Sequence, residues 1–245
     1  MRWTVGILGF GLACVAAAGC GRAQEKEEAL KDDDAMFKRL NVMVDDQIQA
    51  RGISDAATLA AMRKVPRWKF IPDKLRDQAF DDNPLPIGEG QTISQPYIVA
   101  YMTEALKLGP GDRVLEVGTG SGYQAAILGL MAAEVYTIEI VPSLGEAAAA
   151  RLERLGYGNV HVRVGDGYEG WPEEAPFDAI IVTCAPDHVP QPLLEQLDEG
   201  GRLVIPVGGR YPQVLRRYTK RGDTFEQEDL EPVLFVPMTG KAEGQ

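Results

Sequence analysis

The stretch "DRVLEVGTGSGYQ", residues 112–124, sets three glycines in alternation directly after an apolar run. Glycine accepts backbone angles that a Cβ forbids, and it lets another molecule lie against the main chain. Gly118, Thr119, Gly120, Ser121 and Gly122 therefore read as a turn built for close approach, with Glu116 just ahead of it. A second polar position is Glu139, at the end of "VYTIEI" and 21 residues after Gly118. A carboxylate at that distance in a nucleotide-binding strand–helix–strand unit accepts hydrogen bonds from ribose hydroxyls. A third is Asp166-Gly167 in "VGDGYEGW", which suits an adenine amino group or, equally, an ordinary Asp-Gly turn. The chemistry implied is non-covalent capture of a nucleoside at the ends of adjacent strands. Free amides at the head of the helix that opens at Gly122–Gln124 would favour its electron-rich atoms.

The spacing narrows the ligand. A dinucleotide fingerprint needs a third glycine where Tyr123 stands, which disfavours a nicotinamide dehydrogenase. No Lys-Ser/Thr follows, so this is not a phosphate loop. The pattern E-x-G-x-G-x-G is instead similar to that of S-adenosylmethionine-dependent methyltransferases. No Ser/His/Asp arrangement and no paired carboxylates for acid–base work are evident. His188, in "APDHVP", reads as a solvated or capping loop residue, and Cys184 as packing or pocket wall. His161, His188 and three cysteines without close spacing make a zinc site unexpected, and no metal is assigned.

A wider set of segments narrows the family. "MVDDQIQARGI", "AMRKVPRWKFIP", "PLPIGEGQTISQPYIVAYMTEAL", "VLEVGTGSGYQAAIL", "GDGYEGWPEEAPFDAIIVT", "GGRLVIPVG" and "FVPM" run through residues 42–239. Together they resemble the protein-L-isoaspartate O-methyltransferases, which repair damaged aspartyl and asparaginyl sites. "GQTISQPYIVAYM" discriminates, because methyltransferases in general share the glycine loop but not this segment. The resemblance implies cofactor contacts at Glu116, Gly118, Thr119, Gly120, Ser121, Gly122, Glu139, Asp166 and Gly167. It implies an active-site role for Ser94, with Thr92, Ile93 and Gln95 shaping the same pocket. Departures from the family pattern are Trp68, where His is usual, and Cys184, where Ala is common. The tail "MTGKAEGQ" matches poorly, so no site residue is carried onto it.

The chemistry agrees with the residues. A carboxylate acceptor, with an ordinary pKa of about 4, is already ionised at neutral pH and needs no general base. The barrier falls by holding donor and acceptor in line and excluding water. Ser94 would then orient the acceptor carboxylate or its neighbouring peptide; it also suits a cap ahead of Gln95-Pro96, and the two roles can coexist.

These residues need a scaffold. From residue 113 strands and helices alternate, which implies an α/β fold: a doubly wound, mostly parallel sheet covered on both faces. "PQVLRRYTKRGDTFEQEDLEPVLFVPM" adds an antiparallel C-terminal strand pair. Ahead of it, helical spacing at Met36, Leu40, Met43, Val44 and Ile48 stops at Gly52. A second short helix opens at Ser54/Asp55, carries Leu59, Met62 and Val65 on one face, and ends at Pro66. Residues 81–97, with three prolines and two glycines, read as a long irregular binding segment, and a helix starts near Gln95-Pro96. The expected organisation is a signal at 1–23, a charged tether at 24–35 and a methyltransferase domain at 36–245. Within that domain 36–80 is helical, 81–111 is the active-site segment, and 112–245 is the cofactor-binding core with the C-terminal strands.

The first residues, "MRWTVGILGFGLACVAAAGCGRA", have a positive start, an apolar middle and small residues at the end, the layout of a secretory signal. Ala17-Ala18-Gly19-Cys20 resembles a bacterial lipoprotein cleavage box, with Ala17 where Leu is usual. The expectation is an exported chain, periplasmic or anchored by lipid at Cys20, with a cytoplasmic location as the alternative. After processing, Cys184 would be left without a disulfide partner in the folded part. The net charge of −11 excludes the basic footprint of a nucleic-acid binder. A monomer acting on isoaspartyl proteins and peptides is expected. Two other readings stay open: a methyltransferase for another carboxylate or small molecule, and a non-catalytic S-adenosylmethionine-binding envelope protein.

Overall fold

The computed structural model describes residues 31–209 and 212–244, together with Met1. The signal read at 1–23, Cys20 within it, and residues 24–30 of the tether lie outside the described residues. The rest of the supposed tether is different: residues 31–43 are helical (α1), so 31–35 belong to a helix. By internal contacts the chain falls into two units, residues 1–39 and residues 40–245. The second holds everything that follows.

In that unit Leu40, Met43, Val44 and Ile48 are buried, and Gly52, at φ +102°, ends the helical run as expected. Helix α2, Ala56–Lys64, is capped by Asp55, whose carboxylate accepts from the Thr58 amide at 2.7 Å. Its buried stripe is Thr58, Ala61, Met62 and then Val65; Leu59 is only half-buried. The Glu104 carboxylate of α3, Pro96–Leu106, accepts from the amides of Ser54 and Asp55 at 2.7 and 2.6 Å. That ties the start of α2 to the active-site helix.

Residues 81–97 are not a long irregular segment. They contain a hairpin, β1 (Leu85–Gly88) with β2 (Gln91–Ile93), in which Leu85 faces Ile93 and Pro86 faces Thr92. The turn residues Glu89 and Gly90 both have positive φ, +51° and +71°, as in the tight turns whose twist matches paired strands. Gly-Glu-Gly lacks the usual Asn-Gly signature, so the sequence shows the prolines and hides the pairing.

The main sheet has seven strands: β3 (Arg113–Val117), β4 (Glu134–Glu139), β5 (Val160–Val164), β6 (Phe177–Val182), β7 (Leu197–Val207), β8 (Gln213–Arg221) and β9 (Thr224–Val233), in the order β5-β4-β3-β6-β7-β8-β9. The first five are parallel, and β8 and β9 are antiparallel additions at one edge. Helices α4 (Tyr123–Gly129), α5 (Pro142–Leu155) and α6 (Gln191–Glu195) follow β3, β4 and β6. Val114 to Val117 are all buried because both faces are covered, so β3 reads as an unbroken apolar run with one acid in it. Alternate residues serve two cores: Leu115, Ile138, Ile180 and Ile205 on one face, Val114, Val135, Ile181 and Val204 on the other. From β3 the chain winds outward to β5 and then returns to β6 on the opposite side of β3. The ends of β3 and β6 are therefore the switch point, where such sheets bind ligands.

Candidate active site

At that switch point Gly118 has φ +99°, and a Cβ there would overlap Thr183 Oγ1. Thr183 follows β6 and donates to the carbonyl oxygens of Gly118 at 2.7 Å and Val117 at 3.1 Å, stitching the two strand ends together. The Gly118 amide donates to the Ile138 carbonyl at 2.9 Å, so the loop leaves the sheet still bonded to β4. Gly122 serves a different end: a Cβ there would press on Leu152 and Ala148 of α5, so it is a packing glycine. Ser121 Oγ accepts from the Tyr123 amide at 3.3 Å, so part of the helix head expected to greet the ligand is capped from within. Tyr123 is buried edge-on against Phe70, ring centroids 5.5 Å apart. The position that a dinucleotide site gives to glycine here anchors the helical part.

Three cavities meet at this point. The first, of ≈ 580 Å³, is lined by Gly118, Gly120, Glu139, Gly167, Thr183 and Cys184, with Val236 to Thr239 of the tail. The second, of ≈ 330 Å³, lies beneath the loop and is lined by Glu116, Thr119, Ser121, Ile93 and Ser94. The third is an open groove of ≈ 1630 Å³ running past Ser94, Gln95, Ile98 and Leu234. Thr92 and Thr183 line all three. Of the residues expected at the site, Gly122 and Asp166 line none of them.

Glu139 is buried at the rim. Its carboxylate accepts from the amides of Gly120 at 2.7 Å and Val141 at 3.0 Å, which fixes its orientation and leaves lone pairs for further donors. Glu116 is wholly buried, and one oxygen accepts from Thr137 Oγ1 at 2.6 Å, itself 2.6 Å from Thr119 Oγ1. The other oxygen has no partner among the described residues. Burial pushes this carboxyl up to about 8, against the pull of the Thr137 bond. Asp166 takes the turn role that its sequence also allowed, accepting from the Tyr168 amide at 3.0 Å, and its other oxygen accepts from the Lys241 amide at 2.8 Å. It pins the tail beside the first cavity, and Gly167, where a Cβ would overlap Val117, packs against the end of β3.

Cys184 is a half-buried wall of the first cavity, and burial with Glu139 and Asp166 nearby pushes its thiol up to about 12. His188 lies 3.2 Å from the Tyr168 hydroxyl and lines none of the three cavities. Trp68 is buried with its ring 5.9 Å from Phe80. Two contributors went unread in the sequence. One is the tail segment Val236–Thr239; its position against the cavity follows from a bridge between Ala185 and Pro237 that no local pattern announces. The other is Arg67, fully buried, whose guanidinium donates to the Ser94 carbonyl at 2.8 Å.

Switch-point geometry, a glycine loop and a rim carboxylate define an S-adenosylmethionine-dependent methyltransferase. The residues fit that cofactor: Glu139 has lone pairs left that would accept from its ribose hydroxyls, and the unpartnered Glu116 oxygen would face its ammonium-bearing end. The chain belongs to the protein-L-isoaspartate(D-aspartate) O-methyltransferase family, whose sequence profile matches residues 38–243. It is 60% identical over 198 residues to the protein-L-isoaspartate O-methyltransferase of Opitutus terrae, covering 80% of this chain and 85% of that protein. The Picosynechococcus enzyme of the same name is 58% identical over 204 residues, 82% and 90% of the two chains. Among solved structures, a protein-L-isoaspartate O-methyltransferase superposes with a TM-score of 0.76 at 30% identity, covering 84% of this chain and 67% of the other. A second, from Plasmodium falciparum in complex with S-adenosyl-L-homocysteine, gives 0.72 at 29%, covering 82% and 98%.

Proposed function

We propose that this chain moves a methyl group from S-adenosylmethionine to the α-carboxylate of L-isoaspartyl residues in damaged proteins and peptides. The observation that carries the reading is the meeting of the three cavities at Thr92 and Thr183, which sets the Ser94 groove against the glycine-loop cavity. When bound, the cofactor supplies an electrophilic methyl on a sulfonium. Glu139 holds the ribose, Gly118 and Gly120 let the nucleoside lie on the main chain, and Glu116 with Thr119 receives the amino-acid end. Ser94 and Thr92 orient the acceptor, which is ionised at neutral pH and needs no base. None of the residues lining the cavities is a histidine, consistent with chemistry that runs on alignment and exclusion of water. The groove is open and large, ≈ 1630 Å³, which favours a peptide over a small carboxylate. The ester product collapses to a succinimide.

The test is labelled methyl transfer to an isoaspartyl peptide and to its aspartyl twin by the chain lacking residues 1–23. Transfer to the first alone supports the reading, and transfer to neither removes it. The same proposal places the mature chain outside the cytoplasm, held by lipid at Cys20, on the layout of residues 1–23. Intact mass of the native protein checks it, because an added diacylglycerol group is visible there.

A further inference from the structure

The acceptor in the reading above is an anion, yet no residue lining the three cavities is Lys or Arg. The ionised Glu139 is there instead, in a chain of net charge −11. The sulfonium of the bound cofactor would bring one positive charge; any positive potential from the protein itself has to come from behind the lining.

Arg67 stands there. It follows Pro66 in the turn Arg67–Phe70 and is wholly buried. Nε donates to the Ala79 carbonyl at 3.0 Å and Nη2 to the Ser94 carbonyl at 2.8 Å. The guanidinium sits 4.9 Å from the centre of the Tyr123 ring, directly after the glycine loop. Nη1 is buried with no hydrogen-bond partner among the described residues. No carboxylate pairs with Arg67 among the described residues. Against burial, Tyr123 does most to favour its charged form and Asp82 less, and the Asp82 oxygens accept from Arg51 at 2.6 Å and Gln95 at 2.7 Å. Burial lowers the affinity of the guanidinium for its proton, from a value so high that it stays charged. A lone buried cation is costly, and a purely structural role is met as well by an apolar side chain of similar volume. Helix α3 adds its positive end on the same side, beginning two residues after Ser94.

We infer that Arg67 is a positioning residue that fixes the Ser94 main chain and supplies, through it, the positive field that selects an anionic acceptor. This inference rests on the carboxylate reading of the acceptor, and the two can fail separately.

The experiment compares two competitive ligands in the presence of S-adenosylhomocysteine: an isoaspartyl peptide, and the same peptide with its α-carboxylate replaced by a neutral carboxamide. In the unaltered protein the anionic peptide binds about tenfold more tightly or better, as a charge acting from behind the wall predicts. Arg67→Met brings that ratio below about threefold while cofactor Kd holds. Arg67→Lys keeps the charge and loses the fork, so both peptides weaken and the ratio persists. Where Arg67→Met fails to fold, the lysine variant decides. Equal binding of the two peptides by the unaltered protein overturns the inference. So does a methionine variant that weakens both peptides alike, or a lysine variant that loses the ratio. Methyl transfer to the isoaspartyl peptide by the unaltered protein shows, independently, whether the underlying reading stands.

Discussion

Glu116 holds its proton under the glycine loop because burial outweighs the bond from Thr137, and its carboxyl is pushed from 4.5 up to about 8. A folded-state pKa above the unfolded one means that its contribution to stability is complete below about pH 4.5. It is lost as pH rises through about 8, where the folded chain must also ionise. Glu116→Gln, neutral at every pH, removes this slope. Urea unfolding at pH 5, 6.5 and 8 is expected to turn progressively in favour of the variant, and a pH-independent difference would contradict the assignment. Glu139 is oriented by two amides and faces the cavity. Glu139→Ala should weaken S-adenosylmethionine about 10- to 100-fold by calorimetry, the scale of charged hydrogen bonds lost. Both acids were legible, because each ends or occupies an apolar strand at a telling distance from the glycines. Arg67 was not: in "VPRWKF" it is one more basic residue, and only packing puts it behind Ser94.

At the scale of elements, the site depends on strand ends that touch. Gly118→Ala places a Cβ into Thr183 Oγ1 at a φ of +99°, so both strain and overlap oppose it. Thr183 bridges β3 and β6, so the damage spreads to both strands. The expected outcome is a loss of about 2 kcal/mol or more in stability and no measurable cofactor binding, read by thermal unfolding and calorimetry. Asp82, just ahead of the hairpin, clamps that segment to the head of α3, through Gln95 Nε2 at 2.7 Å and the Tyr97 amide at 3.4 Å. Asp82→Ala is expected to raise KM for peptide while cofactor Kd stays constant, because Glu139 and the glycine loop lie on other elements. A parallel rise in both would show that the hairpin also shapes the cofactor cavity. The hairpin itself escaped the sequence, since its turn uses Glu89 at positive φ rather than Asn.

At the scale of the second unit, the chain closes its cofactor cavity with its own end. The Met238 amide donates to Ala185 at 2.8 Å, and the Lys241 amide to Asp166 at 2.8 Å. Val236 to Thr239 thereby become a wall. Ending the chain after Phe235 should leave the seven-stranded sheet folded by circular dichroism and raise cofactor Kd at least about tenfold. Unchanged affinity would show that the wall is incidental. On sequence "FVPM" was matched to the family and "MTGKAEGQ" received no site residue, so no cavity role was assigned to this segment. Its role comes from main-chain bonds, which place few demands on side-chain identity.

The amino-acid sequence by itself determined the α/β alternation, the glycine loop and its two acids, since each is written in a local period or a short spacing; the role expected of the segment around Ser94 came from the resemblance to the family. The tertiary structure alone decided that Gly122 packs against α5 and that Asp166 holds the tail. It also decided that Arg67 reaches Ser94 and that the three cavities meet at Thr92 and Thr183. Those outcomes join residues tens of positions apart, and contact between distant segments follows from how buried surfaces pack, which no stretch of sequence specifies alone.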